Sequence, residues 1–442
     1  MSDRAAQYLR YLVDVGGRER YGDPGWRTPE RDERLGYELG VIEPAGFSAA
    51  FVMLADFMGF CRRENVPYGF GRGSVGGSYA AFCAGIHEID SIEWELDFER
   101  FLNPERVSFP DVDIDVSQRH RQRVIDWIVE RYQTELQVVM QVGAFRRAGG
   151  RAVVDAMAAA HSQRDPDAYQ TATLLKKCFP HGNITGGVKV ARELAWWLEN
   201  GHGEKERFRE IAVKAGWLNT LLILDGMYTN LSRHAAGVVI LRREDLANLP
   251  RVEVKNDDGS ANVVTGYDMY ALDDLGYLKW DILGLRTLDV IAEAHRFVGG
   301  SGHTRDLLAL FDAKRDKEDA KVYELLCEAD TTGIFQFDTA GFKATLRAFG
   351  PSEFEHIVQL GALYRPGALD YRRPEDGKNM VDVFVDRKHG REPVVYPEAV
   401  RAQLAPILDR THGIILYQEQ QMRIPRALAG FTGGQADSLR KA

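Results

Sequence analysis

The chain has 442 residues, 45% hydrophobic and 27% charged, with a formal net charge of −9. That length exceeds one ordinary core and points to roughly two to four globular domains, with no run near the roughly 18 uninterrupted apolar residues of a membrane span. The N-terminus MSDRAAQYLRYLVD has no signal-peptide core, and Cys61, Cys83, Cys178 and Cys327 are scattered, which argues against a disulfide framework or structural zinc and fits a reducing cytoplasm. The net acidity counts only mildly against nucleic-acid binding, since a large enzyme keeps its basic residues in one channel.

Three helices open the chain. Arg4 to Asp14 and Glu30 to Val41 are amphipathic, and Phe47 to Arg62 is nearly all apolar, as in a buried helix. An extended piece, Val66-Pro67-Tyr68, leads into GFGRGSVGGS, and a helix follows over Tyr79 to Ala84. Ser108 to Val116 alternates like a strand and runs into a charged helix from Arg119 to Tyr132. Leu136 to Val142 reads as another strand, and Arg151 to Met227 as a lobe of about four short helices. Strand signals return at Ala236 to Leu241 and Tyr277 to Ile282, and the remainder is mostly helical. Strands on both sides of a helical insertion suggest one α/β domain that carries a helical lobe.

The strongest chemical signal is Pro110-Asp111-Val112-Asp113-Ile114-Asp115-Val116. In a strand, alternate side chains share a face at roughly 6–7 Å spacing. Asp111, Asp113 and Asp115 then point one way while Val112, Ile114 and Val116 point to a core. Carboxylates this close repel unless cations neutralise them, and hard oxygen donors suit magnesium or manganese. A solvated edge strand is the bland alternative, although aspartate is a poor strand former. An EF-hand loop is excluded, because Val116 stands where the turn glycine belongs and Gln122 where the bidentate glutamate belongs.

The second signal is the run from Gly69 to Ser78, just before a helix. Glycines let backbone N–H groups approach a phosphate, a helix N-terminus favours its charge, and Arg72 and Ser74 are placed to add contacts. Gly71 to Gly76 also matches GxGxxG, but no clear strand-end acid to bind a ribose follows at about 20 residues, and a DxDxD strand follows instead. No lysine follows the last glycine as in a Walker A loop. A plain helix-entry turn stays open. A glycine-serine loop, a helix and a strand of paired aspartates together follow the order of polymerase-beta-type nucleotidyltransferases. There a triphosphate sits in the loop and aspartates hold two metals roughly 3.5–4 Å apart.

A third acid is expected from a neighbouring strand, and Asp281 in LKWDILG is the candidate, with Lys279 on the same face. An unpaired carboxylate in an apolar segment is expensive. Helix N-cap is the alternative role, since Leu283 onwards looks helical. Basic residues recur at Arg100 and Arg106, at Arg119, Arg121 and Arg123, and at Arg146, Arg147 and Arg151. The middle group is equally well a solvated face. The last, in AFRRAGGR between a strand and a helix, suits DNA-backbone contacts. His234 reads as structural.

At this point the chain resembles the alpha subunit of bacterial DNA polymerase III, the C-family of replicative polymerases. The resemblance runs almost end to end through GVIEPAGF, PYGFGRGSVGGS, FERFLNPERVSFPDVDIDV, SRHAAGVVI, DLGYLKWDILGLRTL, TTGIFQFDTAGFKATLRAF, ALYRPGAL, VDRKHGRE, GIILYQEQQM and LAGFTGGQADSLRKA. It implies an α/β palm of polymerase-beta-like topology with an inserted helical thumb and mostly helical, partial fingers. The divisions expected are 1–147 for the N-terminal helices and first palm part, 148–232 for the thumb, 233–290 for the second palm part and 291–442 for incomplete fingers. It implies that Asp111, Asp113 and Asp281 are the catalytic, metal-binding aspartates, with Asp115 in support. Two magnesium ions are implied, with manganese as an alternative.

By the same resemblance, Gly73 and Ser74 belong to the loop that holds the incoming deoxynucleoside triphosphate, beside Arg72. Arg100, Lys279, Arg440 and Lys441 match cations that contact it, although the family usually has two arginines at the last pair. Other departures are Gly266, where glutamine is usual, and Leu231-Ser232 before Arg233-His234. The family's PHP, clamp-binding and OB regions have no counterpart here, so no sliding-clamp site is expected, and a second chain that completes the fingers is an expected partner beside primer-template DNA. A compact phage-encoded form and one half of a split gene both fit. Phe431 to Ala442 is expected to be poorly ordered or to pack differently from the matching part of a complete polymerase. The competing function is a catalytically idle remnant that binds DNA or a replisome. Retention of three costly acids favours a polymerase.

Overall fold

Residues 2–105, 112–180, 190–201, 203–255, 261–277, 279–315 and 320–441 are described by a computed structural model. It is a mixed α/β fold of two units, Met1–Gln133 with Leu278–Ala442, and Thr134–Tyr277. Asp111 and Arg106 lie outside the described residues.

In the first unit, the predicted helices form as α1 (Ser2–Tyr21), α2 (Pro29–Ile42) and α3 (Ser48–Arg63). On α3, Phe51, Leu54, Phe57, Met58 and Cys61 are buried along one stripe, the spacing that a helix packed into a core requires. Helix α1 crosses both α3 and the short helix α4 (Tyr79–Cys83). A Cβ at Gly16 would lie 1.9 Å from the Cys83 carbonyl oxygen, so only glycine permits that approach. Strand β1 (Val112–Ser117) leads to helix α5 (Arg121–Tyr132).

The chain returns to this unit with strand β6 (Lys279–Leu285), which pairs parallel with β1. Val112, Ile114 and Val116 of β1 and Trp280 and Ile282 of β6 are buried. The Trp280 ring lies 6.4 Å from Phe57 of α3 and 6.2 Å from Tyr132 of α5. One face of the pair is therefore packed, each large side chain contributing about 1.5–3 kcal/mol by burial, and the pleat turns the alternate residues the other way. Asp281 is mid-strand and the next helix begins at Arg286, so the N-cap role does not apply. A second core joins the helices Ala340–Phe349, Phe354–Leu363 and Met380–Lys388 around Leu346, Phe349, Leu360 and Phe384.

The second unit holds strands β2 (Gln137–Arg147), β3 (Tyr228–Arg242), β4 (Arg251–Lys255) and β5 (Ala261–Thr265). Its strand order is β3-β2-β5-β4, with β2–β3 and β4–β5 antiparallel and β2–β5 parallel. Among the described residues, five helices between Gly150 and Leu224 enclose a core of Leu175, Trp197, Phe208, Trp217 and Leu221. The helical lobe read from sequence thus shares its unit with four strands. Strands β2 and β3 are both longer than their apolar alternation indicates. The register continues past Gly143↔Arg233 to Arg147↔Tyr228, through residues that are partly or fully exposed and carry no alternation signal. Arg146 and Arg147 therefore lie on a strand, not in a loop, and only Ala148-Gly149 connects to the helix Gly150–His161.

Among the described residues no helix is long and apolar enough to cross a membrane.

Candidate active site

Parallel pairing of β1 with β6 sets Asp113 directly opposite Asp281. Neighbouring strands run about 4.8 Å apart, and residues in register on a parallel pair project to the same side. Asp115, two residues on, shares that face. These three carboxylates therefore stand together on the side of the sheet that Trp280 and Ile282 do not occupy. Their side chains are 33% (Asp113), 14% (Asp115) and 12% (Asp281) exposed, so a ligand at Asp113 reaches solvent while the other two are largely shielded.

Two cations hold the acids. Arg72 Nη1 donates to Asp115 Oδ1 at 2.9 Å, and its Nε lies 3.9 Å from Asp113 Oδ2. Lys279 Nζ donates to Asp281 Oδ2 at 2.7 Å, with the lysine side chain only 6% exposed. A buried ammonium is tolerable only when paired in this way. The donor set, paired hard oxygens that need positive charge, fits a divalent ion. Asp113 and Asp281 are the described residues that would hold one. Among the described residues no group of three or more His, Cys, Asp or Glu is close enough to hold a metal.

The glycine loop is stitched to the free edge of β1. Tyr68 bridges Val116, Gly69 N–H donates to Asp115 O at 2.9 Å, and Ser117 N–H to Pro67 O at 2.7 Å. Gly73 takes φ +70°, a left-handed turn that places its α-carbon near Asp113, and a 3-10 turn follows over Gly73–Gly77. Gly71, Arg72 and Gly73 are exposed, and Ser74 is half-buried. The structure thus brings Arg72 and Gly73 to the acids, with Ser74 next in the loop.

The first N–H groups of α4 are not open to a phosphate. Tyr79 N–H and Ala80 N–H both donate, at 2.9 Å, to the carboxylate of Glu38, which is fully buried on α2. Sequence reading missed Glu38. Its signal was the position: Leu35, Glu38 and Ile42 share the buried face of α2, so a carboxylate occupies a core site.

The remaining predicted cations each have an internal acid. Arg100 Nη1 donates to Glu419 Oε1 at 2.8 Å. Arg440 and Lys441 both hold Asp437, at 2.7 and 2.5 Å. Burial would push the Asp437 carboxyl up, but Lys441 and Arg440 together keep it below the usual carboxylate range. Their helix, Gly433–Lys441, is formed, with Gly434, Ala436 and Asp437 buried and Thr432 bonded to Glu105. The described part of the segment expected to be poorly ordered or to pack differently thus forms a helix whose basic pair is held by Asp437.

In the second unit Arg146, Arg147 and Arg151 are exposed. Arg147 lies 4.2 Å over the Tyr228 ring, and Arg151 donates to Pro180 O at 2.8 Å. His234 Nδ1 accepts from the Gly237 N–H at 2.7 Å. Arg121 donates from Nε to Ile282 O at 2.8 Å and so ties α5 to β6.

Comparison with known proteins bears on what this site is. Residues 7–284 match the family described as the bacterial DNA polymerase III alpha NTPase domain, and residues 287–442 match its finger domain. The chain is 37% identical over 453 residues to the DNA polymerase III subunit alpha of Aquifex aeolicus, across 99% of this chain and 37% of that protein. It is 38% identical over 425 residues to the Thermus aquaticus protein of the same name, across 94% of this chain and 32% of that one. For the Bacillus subtilis protein of that name the identity is 36% over 437 residues, with 98% and 36% covered. The chain spans about a third of the length of these curated relatives.

Proposed function

Because the chain belongs to the bacterial DNA polymerase III alpha family, we propose that it is a DNA-directed DNA polymerase core that adds deoxynucleotides to a primer 3′ end. The observation that carries this reading is the register of Asp113 against Asp281 beside the Gly71–Ser74 loop. Asp111, Asp113 and Asp281 are the proposed metal ligands. Two divalent ions, magnesium or manganese, would neutralise charge on the transferring phosphoryl group when bound there.

The chain's own groups supply the rest. Carboxylates on rigid paired strands hold their positions without reorganising as charge develops. Glycine at 73 keeps the loop backbone close to Asp113 and leaves room for phosphate oxygens. Arg72, now shared by Asp113 and Asp115, and Lys279, now on Asp281, are cations that can meet a triphosphate once the acids acquire other partners. Arg100, Arg440 and Lys441 are proposed to join them from the same unit. Arg146, Arg147 and Arg151 are proposed to contact the DNA backbone.

In this reading residues 1–147 and 233–290 form a polymerase-beta-like palm, 148–232 a thumb and 291–442 fingers. The substrates are primer-template DNA and deoxynucleoside triphosphates, the location is the cytoplasm, and a partner chain raises activity. Primer extension with magnesium and all four deoxynucleotides, with and without such a partner, tests it. Template-dependent extension is expected, and none under either condition would overturn it.

A further inference from the structure

The loop from Gly69 to Ser78 has two anchored ends and an exposed middle. Its first end is bonded to β1 through Tyr68, Gly69 and Ser117. Its second end rests on Glu38 and that residue's partner Arg34. We infer that Glu38 is a positioning residue that presets this loop for a triphosphate, an inference that rests on the polymerase reading above.

Glu38 is 0% exposed, and both of its oxygens are fully used. Oε1 accepts from Arg34 Nε at 2.6 Å and from Tyr79 N–H at 2.9 Å. Oε2 accepts from Ser78 Oγ at 2.8 Å and from Ala80 N–H at 2.9 Å. Only an ionised carboxylate offers acceptors on both sides. Burial is the larger influence and leaves the carboxyl's pKa above the usual carboxylate range, against the pull of Arg34 and the backbone N–H groups of Ala80 and Tyr79. The ionised form therefore rests on those four donors.

The carbonyls at this end of the loop are held as well. Arg34 Nη2 donates to Gly77 O at 2.6 Å and to Leu96 O at 2.9 Å. Ser91 Oγ donates to Gly76 O at 2.8 Å, and His87 Nε2 is 3.0 Å from Ser78 O. A Cβ at Gly77 would lie 2.6 Å from Asp97 O, so the backbone is seated against its neighbours. All of these anchors fall after Val75, and Gly71, Arg72 and Gly73 are left exposed. Glu38 does two things. It fills the end of α4 with an internal anion, which leaves Gly71–Ser74 as the part of the loop facing the acids. It also fixes that part in place before a ligand arrives, which raises affinity by lowering the ordering cost of binding.

Glutamine at 38 keeps the shape but offers a single acceptor oxygen, so donors on one side lose their partner and Arg34 loses its charge partner. The test is single-nucleotide incorporation by the full chain with magnesium and primer-template, alongside titration with a fluorescent deoxynucleoside triphosphate. Glu38→Gln should raise KM and the triphosphate Kd about tenfold, with kcat within about twofold and primer-template affinity unchanged. Ser78→Ala, which removes one donor, should raise both about threefold, and it decides the matter if Glu38→Gln fails to fold by circular dichroism. Unchanged KM in a folded variant, or a fall in kcat at constant KM, overturns the inference while leaving the polymerase reading intact. A wild-type chain that neither binds the triphosphate nor incorporates it overturns both.

Discussion

Asp113 on β1 and Asp281 on β6 are register partners, although 168 positions separate them, and both project from the face opposite the buried Trp280. The pairing matters because each acid already has a cation at hand, Arg72 for the first and Lys279 for the second. The site holds its own counter-charges, and the proposed divalent ion would have to compete with them.

That competition predicts an opposed pair of effects for Arg72→Met. The pair with Asp115 is partly exposed, so its worth is at most about 1 kcal/mol, or roughly fivefold in binding. Calorimetric titration should show magnesium binding up to about fivefold tighter than wild type. Incorporation at limiting triphosphate should nonetheless fall. Weaker magnesium binding by the variant would show that Arg72 does not compete for these acids.

His87 predicts an acid limit to stability. It is fully buried beside Ser78 O, Arg20, Glu88 and Val75, and burial pushes its pKa from 6.5 down to about 4. The folded protein then holds fewer protons than the unfolded chain between those values. Stability is complete above about pH 6.5 and is lost as pH falls toward about 4, by roughly 3 kcal/mol at most. Urea unfolding across this range should show the loss in wild type and a smaller one in His87→Gln. Equal slopes in the two proteins would rule out His87 as the source.

Two glycine substitutions test the packing under the loop. Gly16→Ala puts a Cβ 1.9 Å from a backbone carbonyl of α4 and should cost at least about 1–3 kcal/mol. Gly36→Ala, on α2, meets nothing within 4 Å and should stabilise by about 0.4–1 kcal/mol. Thermal melts that rank the two the other way would contradict the α1–α4 packing.

Much of this site was legible in the sequence. Alternation of aspartate with valine and isoleucine predicts β1, and the glycine run predicts the loop, because both signals are local. Asp281 was legible as a candidate acid on a neighbouring strand, but its register against Asp113 was not, since strand pairing across such a separation leaves no periodic trace. Glu38 was missed because a single glutamate on an amphipathic helix reads as surface, and only the fold buries it against α4. The outer halves of β2 and β3 were missed for the converse reason: Phe145 to Arg147 pair by backbone hydrogen bonds while their side chains meet no core. Arg440 and Lys441 were read only as cations for a triphosphate, and the sequence reading did not single out Asp437, three and four residues earlier on their own helix, which holds both.

DNA binding should fall steeply with salt. Arg146, Arg147 and Arg151 are exposed, and taking one arginine away from a DNA phosphate should reduce the slope of log K against log salt by about 0.9. Arg146→Ala, measured by fluorescence anisotropy from low to moderate salt, should show that reduction without a change in the melting temperature. An unchanged slope would remove Arg146 from the interface.

The proposed chemistry stands or falls on Asp113 and Asp281 acting together in nucleotidyl transfer. Asp113→Asn is the cleaner variant, because Asp281→Asn would also break the ion pair with the buried Lys279. The decisive measurement is the rate of single-nucleotide primer extension with magnesium, for wild type and Asp113→Asn, on protein of matched circular dichroism. A loss on the order of a thousandfold or more is expected at saturating triphosphate. Incorporation within a few-fold of wild type by the folded variant would contradict the joint role of the two acids.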